Sequence, residues 1–226
     1  MGSPTIAILI PALDEERNLR LRLPALVADA DEVVVSDGGS RDATARVAAE
    51  LGARVVGGPP GRGGQLNRAA AAASSEVFLF LHADSSLPPG ALDRVREVLA
   101  DGADGGAFLV SFDSSRRVLR LGARLINLRT RLTRAPLGDQ AQFVTRRAFE
   151  ALGGYRDWPI LEDLDFIRRL RRHGRLAILP EHVTTSARRF ETRGVARTVT
   201  VNWVIWTLYC LGVSPLRLAR LYRHVR

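Results

Sequence analysis

Two adjacent carboxylates, Glu162 and Asp163, open the stretch EDLDFIRRLRRH, which has helical periodicity. Neighbouring acids can supply a general base, because each raises the other's pKa. The same run ends in Arg168, Arg169, Arg171 and Arg172, and acids first with bases last is also the order a helix macrodipole favours. Spacing alone leaves both readings open. Asp84 leaves the most hydrophobic segment of the chain, VFLFLHAD. A carboxylate there can hold a divalent cation against phosphate oxygens, or form the turn before LPPG. Asp37 ends another apolar run, VVSDGGSRD, whose glycines and Ser40 or Asp42 suit a strand-to-helix turn. Turn chemistry does not itself demand a carboxylate at Asp37. Residues 61–67, GRGGQLN, open a helix with glycines that can offer backbone N–H groups to phosphate. They match neither the P-loop nor the dinucleotide fingerprint. Arg188 and Arg189 can grip a diphosphate through bidentate hydrogen bonds, or form a solvated basic loop.

These residues need elements to hold them. Apolar runs at 5–10, 32–36, 54–56 and 77–81 read as strands, and helical patterns fill 14–29, 43–51 and 65–73. Such alternation predicts a parallel sheet covered on both faces, with ligands at the carboxyl ends of the strands. Those ends carry Pro11-Ala12, Asp37-Gly38-Gly39, Gly57 and His82-Ala83-Asp84. The second half reads as a strand at 106–112, a long arginine-rich helix at 116–132, a strand at 141–144 and a helix at 162–173. Short strands at 176–179 and 183–186 and helices at 194–211 and 215–224 follow. The expectation is one α/β domain over 1–226, with no linker or repeat between residues 1–113 and 114–226.

The chain has 226 residues, 46% hydrophobic and 25% charged, which excludes disordered and fibrous classes. Its one cysteine, Cys210, excludes an internal disulfide. The opening MGSPTIAILI lacks the basic region of a signal peptide, and the longest apolar run, 199–213, is shorter than a spanning helix needs. A cytoplasmic protein is expected. The net charge of +9 is unevenly spread. Residues 1–113 carry ten arginines against sixteen acids, and residues 114–226 carry twenty-three against eight. An arginine-rich half suits phosphates, whether of a ligand, a nucleic acid or an anionic membrane. Trp203, Trp206 and Tyr209 share helical spacing between Arg193 and Arg197 on one side and Arg217, Arg220 and Arg223 on the other. That pattern suits a core or homodimer helix, or one lying peripherally on the inner face of a membrane.

In this order, IPALDEERNL, VVSDGGSRDAT, GRGGQLNRAA, FLHADSSLPPG, GDQAQFVTRRAFEALGGY and LEDLDFIRRLRRHG resemble the family 2 glycosyltransferases. With TSARRFETRGVARTVTVNWVIWTLYCLGVSP, the chain is most similar to a small bacterial branch of radical-SAM/selenodomain-associated transferases. The resemblance implies a GT-A fold, a Rossmann-like, mostly parallel sheet with helices on both faces and C-terminal helices. It implies inverting transfer of a sugar from a nucleotide-diphosphate sugar, UDP-linked by commonest family usage with GDP-linked donors also in the family, assisted by Mn²⁺ or Mg²⁺. By position, Pro11, Ala12, Asp14, Glu16 and Asp37 would line the nucleotide pocket, with Arg62, Gln65 and Asn67 near it. Ala83 and Asp84 would meet the donor, Asp84 as the last carboxylate of the DxD metal motif. Asp163 would be the base, assisted by Glu162, and Arg188 and Arg189 would contact the diphosphate.

The pattern also departs from the family. The first DxD carboxylate is replaced by His82, whose neutral imidazole suits a transition metal better than Mg²⁺. His182 is a further candidate ligand. The acceptor is left open between lipid-linked, small-molecule and saccharide alcohols. Two rival classes are a nucleotidyltransferase and a non-enzymatic basic module for nucleic acid or lipid. Acidic strand ends oppose a nucleic-acid partner, because they repel a polyanion.

Overall fold

The computed structural model describes residues 2–188 and 194–225. Seven-residue β1 (Ile6–Ala12) is almost wholly buried, as a strand covered on both faces must be. It pairs in parallel with β2 (Glu32–Asp37) and with β4 (Val77–Phe80), and β2 pairs in parallel with β3 (Arg54–Gly57). The remaining strands are β5 (Ser85–Ser86), β6 (Gly105–Phe112), β7 (Phe143–Thr145) and β8 (Leu176–Thr185). All eight form one sheet in the order β3-β2-β1-β4-β7-β6-β8-β5. Strands from both halves of the chain thus share one sheet. β6 and β8 are parallel, whereas β7 runs antiparallel between β4 and β6, and β5 runs antiparallel to β8.

Alternate residues of β1 face opposite ways. Ile6, Ile8 and Ile10 pack with Leu19 and Leu23 of α1 (Glu16–Asp29), Val47 of α2 (Thr44–Glu50) and Val95 of α4 (Ala91–Ala100). Ala7 and Leu9 face Leu66 and Ala69 of α3 (Arg62–Ala72), Phe149 of α6 (Arg146–Ala151) and Phe166 of α7 (Glu162–His173). The helices therefore cover both faces, as the alternation predicts. Three further helices, α5 (Arg117–Thr133), α8 (Val195–Cys210) and α9 (Pro215–Val225), belong to the basic half.

The structure corrects the expectation in three places. The two short strands expected at 176–179 and 183–186 are one ten-residue strand, β8. A register shift between Ala107 and Leu109, opposite Ile178 and His182, takes Pro180 into a bulge, so proline does not end the strand. Helices α4 and α6 and the two-residue strand β5 were not expected. Ser40 is not the cap of α2: the Asp42 carboxylate accepts the Thr44 N–H at 2.9 Å.

Candidate active site

The register aligns Ala12 with Asp37 and Asp37 with Gly57, so the carboxyl ends of β1, β2 and β3 form one edge. Strand order departs in both directions from β1, which places a crevice outside the ends of β1 and β4. Several acids expected in a nucleotide pocket spend their oxygens on this edge itself. Asp37 accepts the Gly39 and Ser40 N–H groups, each at 3.1 Å. Asp14, in the left-handed region with φ of 54°, accepts the Arg41 N–H at 2.8 Å. Glu16 accepts the Ala43 N–H at 3.3 Å and pairs with Arg20 at 3.0 Å. Together they bind the loops after β1 and β2 to one another, beside the strand end that half-buried Pro11 and buried Ala12 complete.

Gln65 and Asn67 are engaged within the chain. The Gln65 amide is buried and donates to the Ala12 carbonyl at 2.9 Å and the Ser36 carbonyl at 2.8 Å, tying β1 to β2. Asn67 exchanges two hydrogen bonds with the Tyr155 backbone, at 2.8 and 2.9 Å. Their polar atoms hold backbone, so both position α3 and the loop before α7.

Arg62, the first residue of α3, instead crosses to the start of α7. Its Nε is hydrogen-bonded to Glu162, and its Nη2 donates to Oδ2 of Asp163 at 3.1 Å. Leu161, with φ of 63°, turns the chain so that both acids enter the first turn of α7. There the helix dipole favours negative charge. Glu162 is 2% exposed and Asp163 7%. Burial pushes the Glu162 carboxyl above the usual range; Arg62 opposes the shift and the charge of Asp163 adds to it. For Arg62, burial alone would lower the pKa, but the charges of Asp163 and Glu162 outweigh it and raise it. Oδ2 of Asp163 also accepts the Gly138 N–H at 2.6 Å, and Oδ1 accepts the Leu164 N–H at 2.7 Å. A carboxylate has about four acceptor positions, so one remains for a substrate proton. Gly138 leaves room for this contact: a Cβ there would lie 2.9 Å from Oδ2 of Asp163 and 3.3 Å from Nε2 of His82, and these side chains would have to shift.

Asp84 and His82 line the same cleft, of about 420 Å³, as Arg62, Glu162 and Asp163, while Ala83 between them is buried. Asp84 has only hydroxyl neighbours among the described residues, Ser85 at 3.4 Å and Thr185 at 3.5 Å. His82 faces Arg62. Its Nε2 lies 3.3 Å from Arg62 Nη1. Arginine can only donate, so this nitrogen is the acceptor and its lone pair is engaged. His182 is exposed and, three residues before Thr185, alternates to the other face of β8, away from Asp84. Among the described residues no three His, Cys, Asp or Glu side chains form a metal cluster. Arg188 is exposed, two residues beyond the cleft-lining Ser186, and Arg189 lies outside the described residues.

Two residues of the site escaped the sequence reading. Asp139, in the 3-10 turn Gly138–Gln140, lines the cleft, and its Oδ1 is buried with no hydrogen-bond partner among the described residues. Burial raises its pKa, Arg129 of α5 opposes that, and Asp163 reinforces it. Trp206 of α8 forms part of the opposite wall, beside Asn202 and Ile205. The GDQ triplet was a signal for Asp139. The wall could not be inferred, because it depends on how α8 returns to the sheet.

An uncharacterized glycosyltransferase of Mycobacterium tuberculosis (strain ATCC 25618 / H37Rv) is 36% identical over 105 residues, 46% of this chain and 48% of that protein. Beta-monoglucosyldiacylglycerol synthase of Synechocystis sp. is 24% identical, over 75% of this chain and 41% of that protein. The chain spans about half the length of the curated relatives it matches. Among solved structures, TarS 1-349 of S. aureus in complex with UDP superposes with a TM-score of 0.66 at 16% identity, over 87% of this chain and 64% of that one. Glucosyl-3-phosphoglycerate synthase from Mycobacterium tuberculosis, in complex with Mn²⁺, UDP and glucosyl-3-phosphoglycerate, gives 0.57 at 26% identity, over 79% and 70%. The fold is thus of the GT-A type. The model of one family, glycosyl transferase family 2, matches residues 7–149, from the first strand through the crevice and Asp84 to the turn that carries Asp139 and on into α6. That match takes in well over half of the sequence, and the chain belongs to glycosyl transferase family 2.

Proposed function

We propose that the protein transfers a sugar, with inversion, from a UDP-linked donor to an acceptor hydroxyl, with Asp163 as the general base. The observation that carries this is the Asp163 carboxylate, oriented by Gly138 and Arg62, in the same cleft as the Asp84 carboxylate. The acceptor oxygen attacks the anomeric carbon and gives its proton to the free position on Asp163. The bond from that carbon to the diphosphate oxygen breaks, and the nucleoside diphosphate leaves. Solved relatives in complex with UDP and with Mn²⁺ support the donor class.

The residues present fit a divalent cation. Asp84 offers a carboxylate with no basic partner among the described residues, and Mg²⁺ and Mn²⁺ sites commonly take one or two carboxylates plus substrate phosphates. Asp84 would hold the ion, which supplies positive charge to the leaving diphosphate. Arg188 and Arg189 would add to that charge. Thermal unfolding with UDP, GDP and their sugars, each with Mn²⁺, Mg²⁺ or chelator, tests the donor site. A nucleotide at 100 times its Kd should add about 2.7 kcal/mol. That corresponds to a rise of roughly 5–10 °C for a chain of this size. The rise should vanish with chelator and in Asp84→Ala. No shift with any nucleotide would sink the donor assignment, and an undiminished shift in Asp84→Ala would sink the metal role of that residue.

Asp139 would accept a hydrogen bond from a hydroxyl of the sugar or the acceptor through its unpartnered Oδ1. Because its folded pKa is raised, it binds a proton more tightly in the folded state. Its stabilising contribution is therefore present at low pH and is lost as pH rises through the folded pKa. Asp139→Asn is expected to melt at or above the wild-type temperature at pH 8, with the difference shrinking toward pH 4, while kcat/KM falls about tenfold or more. A lower melting temperature at pH 8 would overturn this account of Asp139.

A further inference from the structure

Helix α5 has two apolar faces. Leu119, Ala123, Asn127 and Thr130 are buried, and Asn127 pins the helix to β6 by exchanging two hydrogen bonds with the Val110 backbone, each at 2.9 Å. On the opposite side, Val118, Leu121, Leu125, Leu128 and Leu132 follow one another at intervals of three and four residues and are 46% to 75% exposed. At 100° per residue this is a second continuous stripe, about half a turn from the docked one. The exposed Arg117, Arg120, Arg124 and Arg131 run along one flank of it. No acid occurs in residues 114–138 or 192–226.

We propose that the outer face of α5 docks on an anionic lipid bilayer and that the acceptor is an amphiphile presented from that surface. Charge selects this occupant. A second copy of the chain, pairing stripe to stripe, would bring arginine flank against arginine flank with no acid to compensate, and such like-charge juxtaposition disfavours association. A bilayer with anionic headgroups takes leucines into its acyl boundary and arginines at headgroup level, where their stems lie along the apolar face. Helix α8 packs on α5 and extends the apolar surface with the exposed Trp203 and Val204, and α9 adds Leu216 and Leu221. Among the described residues no helix is long and apolar enough to cross a membrane. The contact is therefore interfacial. The same elements reach the cleft: Phe112 and Leu137, just before and after α5, line it, as do Asn202 of α8 and Tyr222 of α9. A lipid-borne alcohol held at this surface would have its polar end near Asp163. The acceptor half of the proposal rests on the glycosyltransferase reading above, which the name of the Synechocystis relative, a synthase of a glucosyl lipid, supports. The docking half does not.

Vesicle flotation tests the docking. The full chain is mixed with vesicles of phosphatidylcholine alone or with about a third phosphatidylglycerol, in low and high salt. Binding is expected to the anionic vesicles, to weaken steeply with salt, and to be far weaker on the neutral ones. Arg120→Gln/Arg124→Gln should lower the partition coefficient roughly 25-fold, at about fivefold per basic residue. Leu121→Gln/Leu125→Gln/Leu128→Gln should lower it about tenfold or more while leaving the UDP-induced thermal shift unchanged, because these side chains are exposed and outside the cleft. Equal flotation of the leucine variant and the wild type would overturn the proposal. So would a wild-type dimer in light scattering that becomes monomeric in that variant, since the stripe would then be a contact between copies. A missing UDP shift with intact, variant-sensitive flotation would refute the glycosyltransferase reading and leave the membrane surface standing.

Discussion

Asp163→Asn is expected to lower the transfer rate by about 10²–10⁴-fold, the usual worth of a positioned general base. Donor binding should hardly change. Asparagine keeps the shape of the side chain and a carbonyl oxygen for the Gly138 N–H, but it cannot take a proton. The loss should therefore appear in kcat, with the nucleotide-induced thermal shift within a few-fold of wild type. Glu162→Gln is the informative companion. Glu162 lies deeper than Asp163 and is engaged by Arg62. It holds Arg62, which in turn holds Asp163, so it acts as a positioning residue. Its loss should cost less than that of Asp163. Near-normal turnover of Asp163→Asn would show that another group accepts the proton, and Asp139 would be the first to examine.

Much of the architecture was legible because β1 to β4 each carry a buried or half-buried apolar run and the crossover helices carry buried leucines or alanines at helical spacing. The acids at the strand ends were legible as well, as were Glu162 and Asp163 at the head of a helix. Their duties were harder to read. Asp37, Asp14 and Glu16 look like ligands in a sequence because carboxylates at strand ends are unusual, yet the structure spends them on neighbouring backbone N–H groups. Gln65 and Asn67 resemble nucleotide contacts but satisfy carbonyl and N–H groups that would otherwise be stranded by the turns they face. The bulge at Pro180 was invisible because a local rule, that proline ends a strand, was overridden by pairing with β6. The outer stripe of α5 was present in the spacing of its leucines. Which stripe faces the sheet depends on Asn127 meeting Val110, a contact between positions that periodicity cannot connect.

Arg62→Met is expected to be the most damaging substitution for stability in the site, because it leaves two adjacent buried carboxylates without their counter-charge. Breaking a fully buried ion pair costs about 3–5 kcal/mol. The Arg62 side chain is 37% exposed, and solvent screening reduces the figure, so about 2–3 kcal/mol is expected here. That corresponds to a fall in melting temperature of roughly 5–10 °C at pH 7–8. The pH dependence identifies the cause. Burial already raises the Glu162 pKa, and Arg62 is the group that restrains it. Without Arg62 the folded state binds protons still more tightly, so stability falls further as pH rises through the raised pKa. At low pH the Glu162 carboxyl is protonated in both proteins, and the difference between them should shrink. A difference that persists unchanged to low pH would mean that Arg62 stabilises by packing alone. Catalysis should suffer as well, because Arg62 also holds the Asp163 carboxylate in place.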